Sequence, residues 1–160
     1  MQLQSSLINL LLSRVVYTTL FFMIIVCSLN DLNNVCESVK PKFVISVIDP
    51  GYAPETPKGV QNHLKLGFDD IIEISSNNKI FRLNTDEIPQ ILPGEEHVNS
   101  IANFTSTYNY EEDIVIHCWC GVSRSMATAT YYYAEKTKLI LKIQLSIFGI
   151  LHPMQTPISY

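Results

Sequence analysis

Three short apolar runs, MIIVCSL (23–29), FVISVID (43–49) and DIVIHC (113–118), limit the folds open to this chain. Each is shorter than a core helix and is bounded by polar or turn-forming residues, the pattern of strands buried on both faces. Between the first two lies LNDLNNVCESV (29–39), an amphipathic helix candidate, so the chain opens β, α, β. HLKLGF (63–68) alternates well enough for a further strand. A helix is expected over 95–108, where Val98, Ile101, Ala102, Phe104 and Thr105 recur at spacings of three and four. Strands alternating with helices predict an α/β fold, a central and mainly parallel sheet flanked by helices.

The connections differ in character. Asp49-Pro50-Gly51 is a turn signal, and YAPETPKGV beyond it reads as a surface loop. Residues 75–94, SSNNKIFRLNTDEIPQILPG, are polar and turn-rich around Ile80 and Phe81 and predict an excursion at the sheet edge. SRSMATATYYYAEKTK (123–138) predicts a helix with Ser123, Arg124 and Ser125 in its first turn, and Tyr131, Tyr132 and Tyr133 read as packing or solvent-facing residues.

Composition narrows the function classes. The 160 residues suit a single domain, and a net charge of -4 with 16% charged residues gives no electrostatic case for nucleic acid. The four cysteines, Cys27, Cys36, Cys118 and Cys120, lack the spacing of a secreted disulfide framework, which fits reduced thiols in a cytoplasm. Residues 1–22 stand apart as an apolar extension. The uncharged run 15–30 falls short of the roughly 20 residues of a spanning helix. Two readings stay open: a domain spanning 23–160 behind an appended or misassigned start, or membrane association through residues 7–29.

The chemistry concentrates in HCWCGVSRS (117–125). Trp119 to Ser123 separate Cys118 from Arg124 in a strand-to-helix loop, and ligands of parallel sheets bind at the carboxyl ends of strands. Such a loop can wrap its N–H groups around a tetrahedral dianion, with the helix dipole assisting and Gly121 permitting close approach. Arg124 adds a planar fork for two phosphate oxygens. The same positive field lowers the thiol pKa of Cys118 and exposes a nucleophile to the bound phosphorus. His117, Cys118 and Cys120 do not read as zinc ligands, because no second Cys/His pair stands at finger spacing. No metal or other cofactor is expected.

The stretch His117-Cys118, five residues, Arg124-Ser125 resembles the HCxxGxSRS signature of cysteine-based protein tyrosine and dual-specificity phosphatases, in a bacterial-type form. The likeness runs from about Met23 to Lys138. It implies Cys118 as nucleophile, Arg124 as phosphate clamp, Ser125 as a hydroxyl that helps the thiolate leave, and His117 as a residue that orients the loop. Trp119, Cys120, Gly121, Val122, Ser123 and Arg124 would then surround the phosphate of a phosphorylated protein or other phosphomonoester. Trp119 either lines the pocket mouth or packs behind the loop, and Cys120 serves as a small residue.

The family also uses an aspartate as general acid. Asp70, after HLKLGF, is the first choice and Asp69 the second, while Asp86 stands nearer Cys118 at the more familiar spacing. Cys27 and Cys36 read as core and helix-face residues, and His63, His97 and His152 as surface or boundary residues. Beyond Lys138, LILKIQLSIFGILHPMQTPISY matches none of the helices that follow the signature helix in that family, so an atypical or truncated end is expected, with LILKIQLSIFGIL as a helix over the same sheet face. The alternative to an active enzyme is a phosphate-binding pseudoenzyme or truncated remnant.

Overall fold

The computed structural model describes residues 22–71, 73–75, 89–107 and 112–147. Asp86, His152, Ile80, Phe81 and nearly all of the 1–22 extension lie outside the described residues. The expected α/β architecture is present. Its elements are β1 (Ile24–Ser28), α1 (Leu32–Val39), β2 (Phe43–Ile48), β3 (Asn62–Gly67), α2 (Glu95–Ser106), β4 (Ile114–Cys118) and α3 (Arg124–Ile147). The strands form one sheet in the order β1-β4-β2-β3, and every neighbouring pair is parallel.

Strand position follows from composition. FVISVI of β2 and IVIHC of β4 are buried at every residue, and they are the two central strands. NHLKLG of β3 has exposed and half-exposed positions because it is an edge strand; most of the excursion expected over 75–94 lies outside the described residues. Side chains alternate across the sheet, so the sheet carries a core on each face. Phe43, Ile45, Val47, Leu66, Ile114, Ile116 and Cys118 meet Ile101 of α2 and Ala129 and Tyr132 of α3. On the other face Cys27, Val44 and Val115 meet Leu32 and Cys36 of α1. Cys27 and Cys36 thus occupy the core and helix-face positions expected of them.

Helix boundaries have local causes. α1 ends at Lys40, whose left-handed φ of 54° lets its N–H reach the Cys36 carbonyl at 2.9 Å. α2 begins with Glu95 and Glu96 in its first turn, where acidic side chains favour the helix dipole. His97 Nδ1 accepts the Gly94 N–H at 2.9 Å. This histidine is therefore a capping residue, a role its sequence neighbourhood did not show.

α3 is longer than the helix expected over 123–138 and takes in all three tyrosines. Tyr131, Tyr132 and Tyr133 sit inside the helix, with Tyr132 fully buried and Tyr133 exposed. The reason is that no glycine or proline interrupts the sequence until Gly149. Helical backbone continues through Ile147, so the first part of LILKIQLSIFGIL extends α3 instead of starting a separate helix. Among the described residues, no helix is long and apolar enough to cross a membrane.

Candidate active site

Cys118 is the last residue of β4, and α3 starts at Arg124, so the loop 119–123 lies at the carboxyl edge of the parallel sheet. Two close approaches seat it there. The Leu29 N–H donates to the Trp119 carbonyl at 3.2 Å. Gly121, at φ 73°, passes so near the end of β1 that a Cβ would stand 2.7 Å from the Cys27 carbonyl carbon. No other residue type fits at that point, which gives Gly121 a steric role beyond its conformational one.

The loop turns its donors toward sulfur. The Gly121 N–H reaches Cys118 Sγ at 3.2 Å, and Ser125 Oγ lies 3.2 Å from the same atom. Burial alone would raise the Cys118 thiol. Hydrogen bonds from the Ser125 hydroxyl, then from the backbone of Ser125, Val122 and Gly121, outweigh it and leave the thiol below its ordinary value. Cys27, without such donors, is pushed up to about 11 by burial and by the neighbouring Cys36, Asp31 and Cys118. All four cysteines are free, and Cys120 is exposed in the loop.

Arg124 is held by residues that sequence reading did not assign to the site. Its Nη1 donates to Asp49 Oδ1 and to the Phe68 carbonyl, both at 2.8 Å, and both ion-pair partners are buried. Nε has no partner, and no bond of Nη2 to another described residue is present. The side-on edge of the guanidinium, the edge that grips two oxygens of one oxyanion, is thus uncommitted. Asp49 had read only as part of a turn. The signal that could have exposed it is its place at the carboxyl end of a mostly apolar strand.

The two adjacent aspartates have different surroundings. Asp69 is buried, and its Oδ2 accepts the Ile91 N–H at 2.7 Å, pinning the chain ahead of α2. Asp70 is exposed, and its Oδ1 accepts a hydrogen bond from Ser123 Oγ at 2.7 Å. Both, with Cys118, Trp119, Cys120, Val122, Ser123 and Arg124, line a cleft of about 680 Å³ that also takes in Asn30 and Ile71. Trp119 borders the cleft, and its ring packs on Tyr52 with centroids 5.3 Å apart.

His117 faces away from the thiol. Because alternate residues of a strand face opposite ways, it points to the α1 face while Cys118 points to the α3 face. Its Nε2 lies 2.5 Å from Ser46 Oγ, and its contact with the signature is Nδ1 to the Cys118 carbonyl at 3.4 Å. His63 is likewise no bystander, since it bonds both Ser46 and Thr56. Among the described residues, no three His, Cys, Asp or Glu side chains are grouped to hold a metal ion.

No family model, curated protein or solved structure matches the chain.

Proposed function

We propose that this chain is a cysteine-dependent phosphomonoester hydrolase of the protein tyrosine or dual-specificity phosphatase type, working in the cytoplasm without metal or cofactor. The observation that carries the reading is one side chain with a committed end and an uncommitted edge. Arg124 is anchored through Nη1 while Nε and Nη2 have no hydrogen-bond partner among the described residues, beside a thiol that four hydrogen bonds favour as thiolate.

In the proposed reaction the Cys118 thiolate attacks phosphorus. The S–P bond forms as the bond from phosphorus to the ester oxygen breaks, and the electron pair leaves on that oxygen. Asp70, as the carboxylic acid, protonates the departing oxygen. Arg124 and the loop N–H groups hold the three remaining phosphoryl oxygens. In the second half, water attacks phosphorus, the Asp70 carboxylate takes its proton, and the S–P electrons return to sulfur. Ser125 Oγ donates to that thiolate and improves it as a leaving group. Phosphotyrosine or dual-specificity protein substrates are the first choice, although lipid and nucleotide phosphates present the same dianion.

Turnover of p-nitrophenyl phosphate by the full chain, with Cys118→Ser as control, tests the reading. Phosphate binding without turnover in the unsubstituted protein would favour the non-catalytic alternative. Asp70→Asn should slow alkyl phosphates by about 100-fold or more and p-nitrophenyl phosphate far less, because p-nitrophenolate leaves without a proton.

A further inference from the structure

A line of four side chains on the α1 face runs from an exposed loop to the peptide of Cys118. Thr56 Oγ1 lies 2.9 Å from His63 Nδ1, and His63 Nε2 lies 2.6 Å from Ser46 Oγ. Ser46 Oγ lies 2.5 Å from His117 Nε2, and His117 Nδ1 lies 3.4 Å from the Cys118 carbonyl. Ser46 and His117 are register partners on the central strands β2 and β4, and both are fully buried.

The chemistry of these groups permits one proton arrangement. A carbonyl oxygen only accepts, so His117 Nδ1 must carry the proton. In a neutral imidazole the other nitrogen is then an acceptor, and Ser46 must donate to Nε2. A hydroxyl has one proton, so toward His63 the Ser46 oxygen accepts. His63 therefore carries its proton on Nε2, and its Nδ1 accepts from Thr56. Both rings are held neutral to about pH 4, His117 by burial and His63 by burial with Lys65 and His117 nearby.

We propose that Ser46 and His63 are positioning residues for the nucleophile, acting through His117 to fix the Cys118 carbonyl. Fixing that carbonyl fixes the plane of the peptide that opens the loop, and with it the direction of the Trp119 N–H. The positioning role rests on the phosphatase reading, whereas the proton arrangement does not.

Histidine side-chain ¹⁵N NMR of the full chain at neutral pH tests the arrangement directly. The expected spectrum has the proton on Nδ1 of His117 and on Nε2 of His63. A proton on Nε2 of His117, or on Nδ1 of His63, would overturn the relay whether or not the chain hydrolyses phosphate. Ser46→Ala tests the positioning role: the His117 ring should leave its single tautomer, and kcat for p-nitrophenyl phosphate should fall about three- to tenfold with KM within about twofold. An unchanged His117 signature and kcat in that variant would sink the role. If Ser46→Ala does not fold, Thr56→Val at the exposed end should shift the His63 signals toward a tautomer mixture, and His63 signals identical to the unsubstituted chain's would count against the relay.

Discussion

Arg124 Nη1 donates to Asp49 Oδ1 at 2.8 Å, tying the first residue of α3 to the residue after β2 across 75 positions of sequence. The pair is buried on both sides, so removing one partner strands the other's charge. Asp49→Ala should therefore destabilise the protein by about 3–5 kcal/mol, read from urea unfolding. It should also weaken phosphate binding, because the guanidinium loses the anchor that orients its open edge. Unchanged stability and affinity would show that Asp49 plays no such part.

The loop's dependence on Gly121 can be measured separately. Gly121→Ala combines a left-handed φ with a Cβ 2.7 Å from backbone, and should cost about 1–3 kcal/mol together with phosphate affinity. Cys120→Ala, one residue away and exposed, should change stability by no more than about 0.5 kcal/mol. Equal effects of the two substitutions would contradict the close packing of the loop on β1.

Thiol reactivity should separate the cysteines. Alkylation of Cys118 by iodoacetamide should keep its rate below the pH at which an ordinary thiol slows, because its hydrogen bonds favour the thiolate. Ser125→Ala should move that profile to higher pH, since the Ser125 hydroxyl leads the groups that lower the thiol. Cys27, pushed up to about 11, should stay unmodified in the folded chain. A Cys118 profile that Ser125→Ala leaves in place would remove Ser125 from the site's electrostatics.

Parts of this arrangement were readable in the sequence and parts were not. The apolar runs around Ile45 and Val115 identify central strands because burial on both faces selects mostly apolar residues, and Cys118, Gly121 and Arg124 lie close enough in sequence to define their loop together. Asp49 and Ser46 do not announce themselves: only the parallel pairing of β2 with β4 brings them beside Arg124 and His117. No local pattern encodes which distant strands become neighbours. Asp70 against Asp69 was unresolved for a related reason, because their difference lies in burial and in partners at Ser123 and Ile91.

Stability should fall in mild acid for a definable reason. His117 stays neutral in the fold down to about pH 4, against an ordinary value of 6.5. Below about pH 6.5 the unfolded chain gains a proton that the folded chain refuses. The stabilisation is thus present above pH 6.5 and is lost as pH falls toward 4, on the order of 3 kcal/mol for this group. His63, lowered to about 4 as well, acts in the same direction. Urea unfolding from pH 7.5 to 4 measures the slope; His117→Asn should flatten it, and an equal slope in that variant would place its origin elsewhere.

The covalent intermediate is the most direct test of the central claim. The full chain would be mixed with p-nitrophenyl phosphate, quenched in acid within the first turnovers, digested and weighed by mass spectrometry. The expected result is a phosphoryl group on the peptide carrying Cys118, more abundant in Ser125→Ala, where the thiolate leaves more slowly, and absent in Cys118→Ser. Turnover that persists in Cys118→Ser, with no phosphoryl group on that peptide in the unsubstituted protein, would contradict it.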